Sequence, residues 1–199
     1  MLITIRRRTI PMLLASLFAA GCASNNTATA DVAPNAEAVE PADRDPRRCA
    51  VYLVRHAEKE KGRDPRLTPA GQERAEELAG IMSGIGIDAI YSTNYRRTLD
   101  TAAPLAAALG LDIAIYDPRN LQAVADELRT AEGRILVVGH SNTTPQLTAI
   151  LAPNAEVRSM SEDEYDHLFQ VTWWPAREGK GESQEPRLGR LRYGRKSEQ

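Results

Sequence analysis

Residues 49–58 read Cys49-Ala50-Val51-Tyr52-Leu53-Val54-Arg55-His56-Ala57-Glu58. The short apolar run over 50–54 is the pattern of a strand buried on both faces of a parallel sheet, and its end carries charge. Outward from this stretch the chain alternates. Pro69, Ala70 and Gly71 introduce a helix in which Ala75, Leu78, Ala79 and Met82 recur at i, i+3, i+4 and i+7. Glu73, Arg74, Glu76 and Glu77 then fall largely on the other side. Gly84 and Gly86 stop it. Ile87–Tyr91 predicts a second strand. Residues 95–109 predict a second helix, with Leu99, Ala102, Ala106 and Leu109 as its stripe and Gly110 as its stop.

A third strand is expected over Ile113–Tyr116, and a third helix around Leu121, Val124, Ala125 and Leu128. Ile135–Val138 is the most hydrophobic strand of the set. A fourth helix starts near Thr144, carries Leu147, Ile150 and Leu151, and closes before Pro153. Leu168–Trp174 reads as a further strand open to an antiparallel setting, with Arg187–Tyr193 as an added edge. The four strand–helix alternations predict an α/β fold, a three-layer α/β/α sandwich with a mainly parallel central sheet.

In such folds ligands bind beyond the carboxyl ends of the strands. The first strand ends on Arg55, His56 and Glu58. The second ends on Ser92, Thr93 and Asn94, followed by Arg96 and Arg97 on the first turn of a helix. Asp117 follows the third strand, and Gly139, His140, Ser141 and Asn142 the fourth. Two of the three histidines and two arginines thus share one rim. Arginines are fixed positive forks suited to phosphate oxygens; histidine serves as nucleophile or acid–base near neutrality. Each residue alone has a plainer reading, and Asp117 ahead of Pro118 is a common turn placement. Arg96 and Arg97 are neighbours that point in different directions, so at most one faces the site. The joint occurrence is what singles out the rim. His167 is read as non-catalytic.

Four segments, in order, carry a resemblance. Val54-Arg55-His56-Ala57-Glu58 resembles the Arg-His-Gly signature of the histidine phosphatase (phosphoglycerate mutase-like) superfamily, with Ala57 in the glycine's place. Leu67-Thr68-Pro69-Ala70-Gly71 is similar to its Leu-Thr-x-x-Gly segment. Tyr91 to Ala102 resembles its Ser-Ser-Pro-Leu-x-Arg-Ala-x-Gln-Thr-Ala, a register that makes Arg97 the phosphate-binding arginine. Val138-Gly139-His140-Ser141 is similar to the second-histidine segment, although Asn142 departs from members with an acid there. The resemblance covers about residues 49–175, and the short connections resemble the compact members.

The resemblance implies a two-step reaction. His56 attacks phosphorus in line and forms a phosphohistidine, which water hydrolyses. Arg55, Arg97 and His140 cradle the equatorial oxygens. Neither metal nor other cofactor is implied. Family members often place the proton donor after the third core strand, which points to Asp117, with Glu58 and His140 as the other candidates. The substrate would be a phosphomonoester, small or carried on an envelope glycan. The competing class is a non-catalytic envelope protein holding a phosphorylated glycan or lipid. Loss of a rim residue would favour it, yet Arg55, His56, Arg97 and His140 are all present.

Residues 1–21 have the layout of an export signal: Arg6-Arg7-Arg8, then an apolar run from Ile10 to Ala20, then Gly21. A buried helix would explain neither the arginines nor the change of composition after Cys22. The run is too short to span a bilayer, which takes about 20 residues. Ala19-Ala20-Gly21-Cys22 resembles the lipobox of bacterial lipoproteins, with Ala19 where Leu is usual, so Cys22 is the expected acylation site. Several acyl chains anchor stably where one does not. Ala23 after the cysteine matches an outer-membrane address facing the periplasm. The alternative is a plain soluble periplasmic protein.

Residues 22–47 are rich in Ala, Asn, Thr, Pro, Asp and Glu without aromatics, and read as a flexible tether. The catalytic domain is expected over 48–194, and 195–199 as a disordered tail. The whole chain of 199 residues, 42% hydrophobic, suits one domain. Its net charge of −2 offers nothing for nucleic acid. Removing residues 1–21 takes three of the 25 basic residues and none of the 27 acidic ones, leaving −5. Cys22 and Cys49 are the only cysteines. Cys49, opening an apolar run, reads as a buried small side chain rather than a nucleophile. The sequence carries no signal for an oligomeric state.

Overall fold

The computed structural model describes residues 49–174 and 185–196. The expectations for the leader, the lipidated Cys22, the tether and residues 197–199 lie outside them. The described chain forms a six-stranded sheet in the order β3-β2-β4-β1-β5-β6. Its strands are β1 (Cys49–Arg55), β2 (Ala89–Ser92), β3 (Ile113–Ile115), β4 (Arg134–Gly139), β5 (His167–Trp173) and β6 (Arg187–Arg192). The helices are α1 (Pro69–Ile85), α2 (Arg96–Leu109), α3 (Leu121–Thr130) and α4 (Thr143–Leu151). β1 to β4 are mutually parallel, and only β5 runs against them, pairing antiparallel with both β1 and β6. This is the expected three-layer α/β/α sandwich.

β1 is central and buried at every position. Its period of two divides the core. Cys49, Val51 and Leu53 face α3 and α4 with Val124, Leu128, Leu147 and Leu151. Ala50, Tyr52 and Val54 face α1 and α2 with Leu78, Met82, Ala102 and Leu105. Both faces being covered explains why the strand reads as an unbroken apolar run.

Helix ends follow local chemistry. Thr68 caps α1 by accepting from the Gly71 amide at 3.1 Å, and Pro69 occupies the first turn, where its missing N–H costs nothing. Gly86 ends α1 in the left-handed region, whereas Gly84 lies within the helix. The buried face of α2 is Thr98, Thr101, Ala102, Leu105 and Ala106. That face is rotated from the expected stripe, because Leu99 and Leu109 are only half-buried and the two threonines have polar partners at the site.

Candidate active site

The parallel strands deliver their carboxyl ends to one rim. β1 brings Arg55 and His56, β2 leads through Thr93 to α2 and Arg97, and β4 leads through His140 to α4. Two helices therefore start at this rim, and helix N-termini favour anions. The His56 amide donates to the Gly139 carbonyl at 2.9 Å, joining the two histidine loops. Gly139 admits no side chain: a Cβ there would lie 2.8 Å from Thr144 Oγ1 and 2.9 Å from Tyr116 Oη.

His56 is 3% exposed. Its Nδ1 lies 2.7 Å from the Ala57 carbonyl, which only accepts, so Nδ1 carries the proton and Nε2 keeps its lone pair. Burial above all, with Arg55, Arg97 and His140 nearby, pushes its pKa down to about 3, against the carbonyl's opposing effect. The Ala57 amide donates to Thr101 Oγ1 at 2.9 Å, which pins the loop to α2.

His140 stands edge-on to His56, ring centroids 5.6 Å apart. Arg97 Nη2 donates to its Nδ1 at 3.3 Å, so the other nitrogen, Nε2, holds the proton and donates to Thr93 Oγ1 at 3.0 Å. Thr93 passes the chain to Thr98 Oγ1 at 2.9 Å, and Thr98 donates onward to backbone carbonyls. Burial, then Arg97 and Arg55, lower the His140 pKa to about 4. Tyr95, 40% exposed, lies edge-on to His140 and against the Arg97 guanidinium, 4.5 Å from ring centroid to Cζ.

Arg55 is 1% exposed. Its Nη1 donates to the carbonyls of Ser161 and Glu164 at 2.9 and 3.0 Å, and its guanidinium sits 4.1 Å from the Tyr165 ring centroid. Its Nη2 is 3.5 Å from Glu162 Oε2, whose partner oxygen accepts from Ser141 Oγ at 3.1 Å. The Nε–H groups of Arg55 and Arg97 are buried without a hydrogen-bond partner among the described residues. A buried donor left unpaired is costly, and an arriving oxyanion can take it.

The structure thus brings Arg55, His56, Arg97 and His140 together. It does not tie Asp117 to them. That carboxylate is exposed, accepts from the Arg119 amide and guanidinium at 3.0 Å, and is held below its ordinary pKa by those bonds. This is the bonding of a turn. Glu58 is also engaged, with both oxygens on Arg74. Arg96 is exposed, and its amide donates to Asp64. His167 bonds Glu164 and Arg158, away from the cluster. The loop 160–166, which seats Arg55, has no signature in the sequence. Its acids look like ordinary polar loop, and only the sheet order reveals that β5 brings them to Arg55. Among the described residues no group of three or more His, Cys, Asp or Glu could hold a metal ion.

The model of the histidine phosphatase superfamily (branch 1) matches residues 51–120, a span that includes Arg55, His56 and Arg97. Over those residues the chain is similar to the histidine phosphatase superfamily. His140 falls beyond the matched span and joins the site through its contacts alone. Among curated proteins none matches this chain.

Solved structures share the fold of this chain. A mycobacterial glucosyl-3-phosphoglycerate phosphatase superposes with a TM-score of 0.57 at 15% identity, covering 72% of this chain and 98% of that one. The protein histidine phosphatase SixA, complexed with tungstate, gives 0.52 at 16%, covering 72% and 96%. A putative alpha-ribazole-5'-P phosphatase from Escherichia coli gives 0.55 at 14%, again covering 72% and 96%.

Proposed function

We propose that this chain is a histidine phosphatase and hydrolyses phosphomonoesters through a phosphohistidine at His56. The observation that carries the reading is the His56 tautomer, with Nδ1–H fastened to the Ala57 carbonyl and the Nε2 lone pair free on a neutral ring. Nε2 attacks phosphorus as the P–O bond to the leaving group breaks. Water then attacks the phosphohistidine, the P–N bond breaks, and inorganic phosphate leaves. Arg55 and Arg97 hold the non-bridging oxygens with their unpaired Nε–H groups, supplying fixed charge where the transition state needs it.

The leaving oxygen needs a proton. Asp117 would first have to release Arg119, and Glu58 would have to release Arg74. His140 is free of both obstacles. Burial, then Arg97 and Arg55, keep its ring neutral; a bound dianion beside it favours the protonated ring, so the site gains a proton as substrate binds. That proton passes to the leaving oxygen, and His140 takes one back from the attacking water.

The substrate class is an envelope phosphomonoester, such as a phosphosugar, a nucleotide or a lipopolysaccharide phosphate. Location supports this choice through the export signal and the lipobox-like Ala19-Ala20-Gly21-Cys22. Acylated Cys22 would anchor the enzyme at the outer membrane. A panel of phosphomonoesters, assayed with and without added divalent metal, tests the activity; a folded protein inert on all of them contradicts it. Labelling with a fatty-acid analogue tests the anchor: label lost in Cys22→Ser is the expected result, and an unlabelled soluble parent contradicts it.

A further inference from the structure

Glu58 follows the nucleophile loop directly, and its carboxylate is gripped sideways by Arg74, with Nη2 to Oε1 at 2.7 Å and Nε to Oε2 at 2.9 Å. Its backbone carbonyl accepts from the Thr68 amide at 3.0 Å. Gly71 packs on that same carbonyl so closely that a Cβ would meet its oxygen at 2.1 Å. Loop 56–58 is therefore clamped onto the start of α1. The clamp depends on a side chain that is itself 2% exposed.

Arg74 owes its setting to the segment after β6. Its Nη1 donates to the Tyr193 carbonyl at 3.1 Å and its Nη2 to the Arg195 carbonyl at 2.8 Å. Gly194, at φ +66°, turns the chain between them. Tyr193 is buried, and its amide donates to the Asp166 carbonyl at 3.0 Å. Asp166 also pairs with Arg192 at 2.6 Å and ends the loop that seats Arg55. A point charge could balance Glu58, but only a planar fork can hold two carboxylate oxygens and two carbonyls at once.

We propose that the turn Tyr193–Arg195 positions the nucleophile: its carbonyls orient Arg74, Arg74 orients Glu58, and Glu58 fixes the loop that aims His56. The proposal rests on the reading of His56 as nucleophile. Arg74 and Glu58 are positioning residues, and neither touches the phosphate. Arg97 and His140 are held by other partners, and Arg55 by the Ser161 and Glu164 carbonyls, so loosening Arg74 slows phosphoryl transfer while leaving phosphate affinity in place.

The test uses the full chain with three changes: a stop after Arg192, Arg74→Lys, and the two combined. Nitrophenyl phosphate is the substrate and inorganic phosphate the competing ligand. Each single change should lower kcat by about tenfold or more, as expected for a misaimed nucleophile, with KM and phosphate inhibition within about threefold. The combined variant should lose no more than the worse single one, because both act through Glu58. A folded variant with parental kcat, or losses that multiply, overturns the proposal. Should the shortened chain not fold, Arg74→Lys decides by the His56 ring nitrogen resonances: they should move, and unmoved signals overturn it. Turnover that survives His56→Ala strikes the nucleophile reading instead, and the ring signal still decides the positioning.

Discussion

Arg97 Nη2 donates to His140 Nδ1 at 3.3 Å, so a permanent cation points at the ring nitrogen that carries no proton. Burial, then this cation and Arg55, lower the His140 pKa to about 4. An anion between the residues reverses this balance. Sulfate binding near pH 6 should therefore be accompanied by proton uptake, since sulfate has no proton of its own to exchange there. Calorimetry in buffers of different ionisation enthalpy measures it. Binding without uptake, or uptake that persists in His140→Asn, contradicts the assignment.

Leaving-group dependence follows from the proton donor. His140→Asn should lose about tenfold more activity on an alkyl phosphate than on nitrophenyl phosphate, whose leaving group hardly needs a proton. Asp117→Asn should change both by less than about threefold, in keeping with a carboxylate occupied by Arg119. Steady-state rates on the paired substrates measure both. A selective loss on the alkyl ester in Asp117→Asn would return the role to that residue.

Stability should also report the two histidines. Both have folded-state pKa values lowered from the ordinary 6.5, to about 3 and about 4. Below 6.5 the unfolded chain therefore binds more protons, so their contribution is complete above that value and lost as pH falls toward 4. Urea unfolding at pH 7 and pH 4.5 should show a stability drop that His56→Gln makes smaller. An unchanged pH slope in that variant contradicts the buried neutral ring.

Much of the fold is legible because the apolar runs of β1 and β4 are buried on both faces, and because Pro69, Gly86 and Gly110 mark helix ends by local geometry. The face of α2 is not. Thr98 and Thr101 look like solvated residues until the nucleophile loop and Thr93 supply their partners, so Leu99 takes their place in a purely apolar reading. Arg55, His56, Arg97 and His140 are legible as residues at the ends of successive parallel strands. The seat of Arg55 is not, because backbone carbonyls of Ser161 and Glu164 form it and no side-chain pattern encodes them. Asp117 illustrates the converse: its place at a strand end is legible, but its use as a turn depends on where the Arg119 side chain lies.

Cys49 is fully buried, and burial followed by Glu132 pushes its thiol up to about 12. In Cys22→Ser, the native protein should resist a thiol reagent and react only on unfolding. Rapid native labelling would show that β1 opens at its start.

The most direct measurement is an acid quench of the enzyme during turnover of a radiolabelled phosphomonoester, with the phosphorylated peptide located by fragmentation. The account predicts base-stable, acid-labile phosphate on His56, absent from His56→Ala, which should stay folded and lose turnover. Turnover preserved in His56→Ala, or phosphate recovered on another residue, would contradict it.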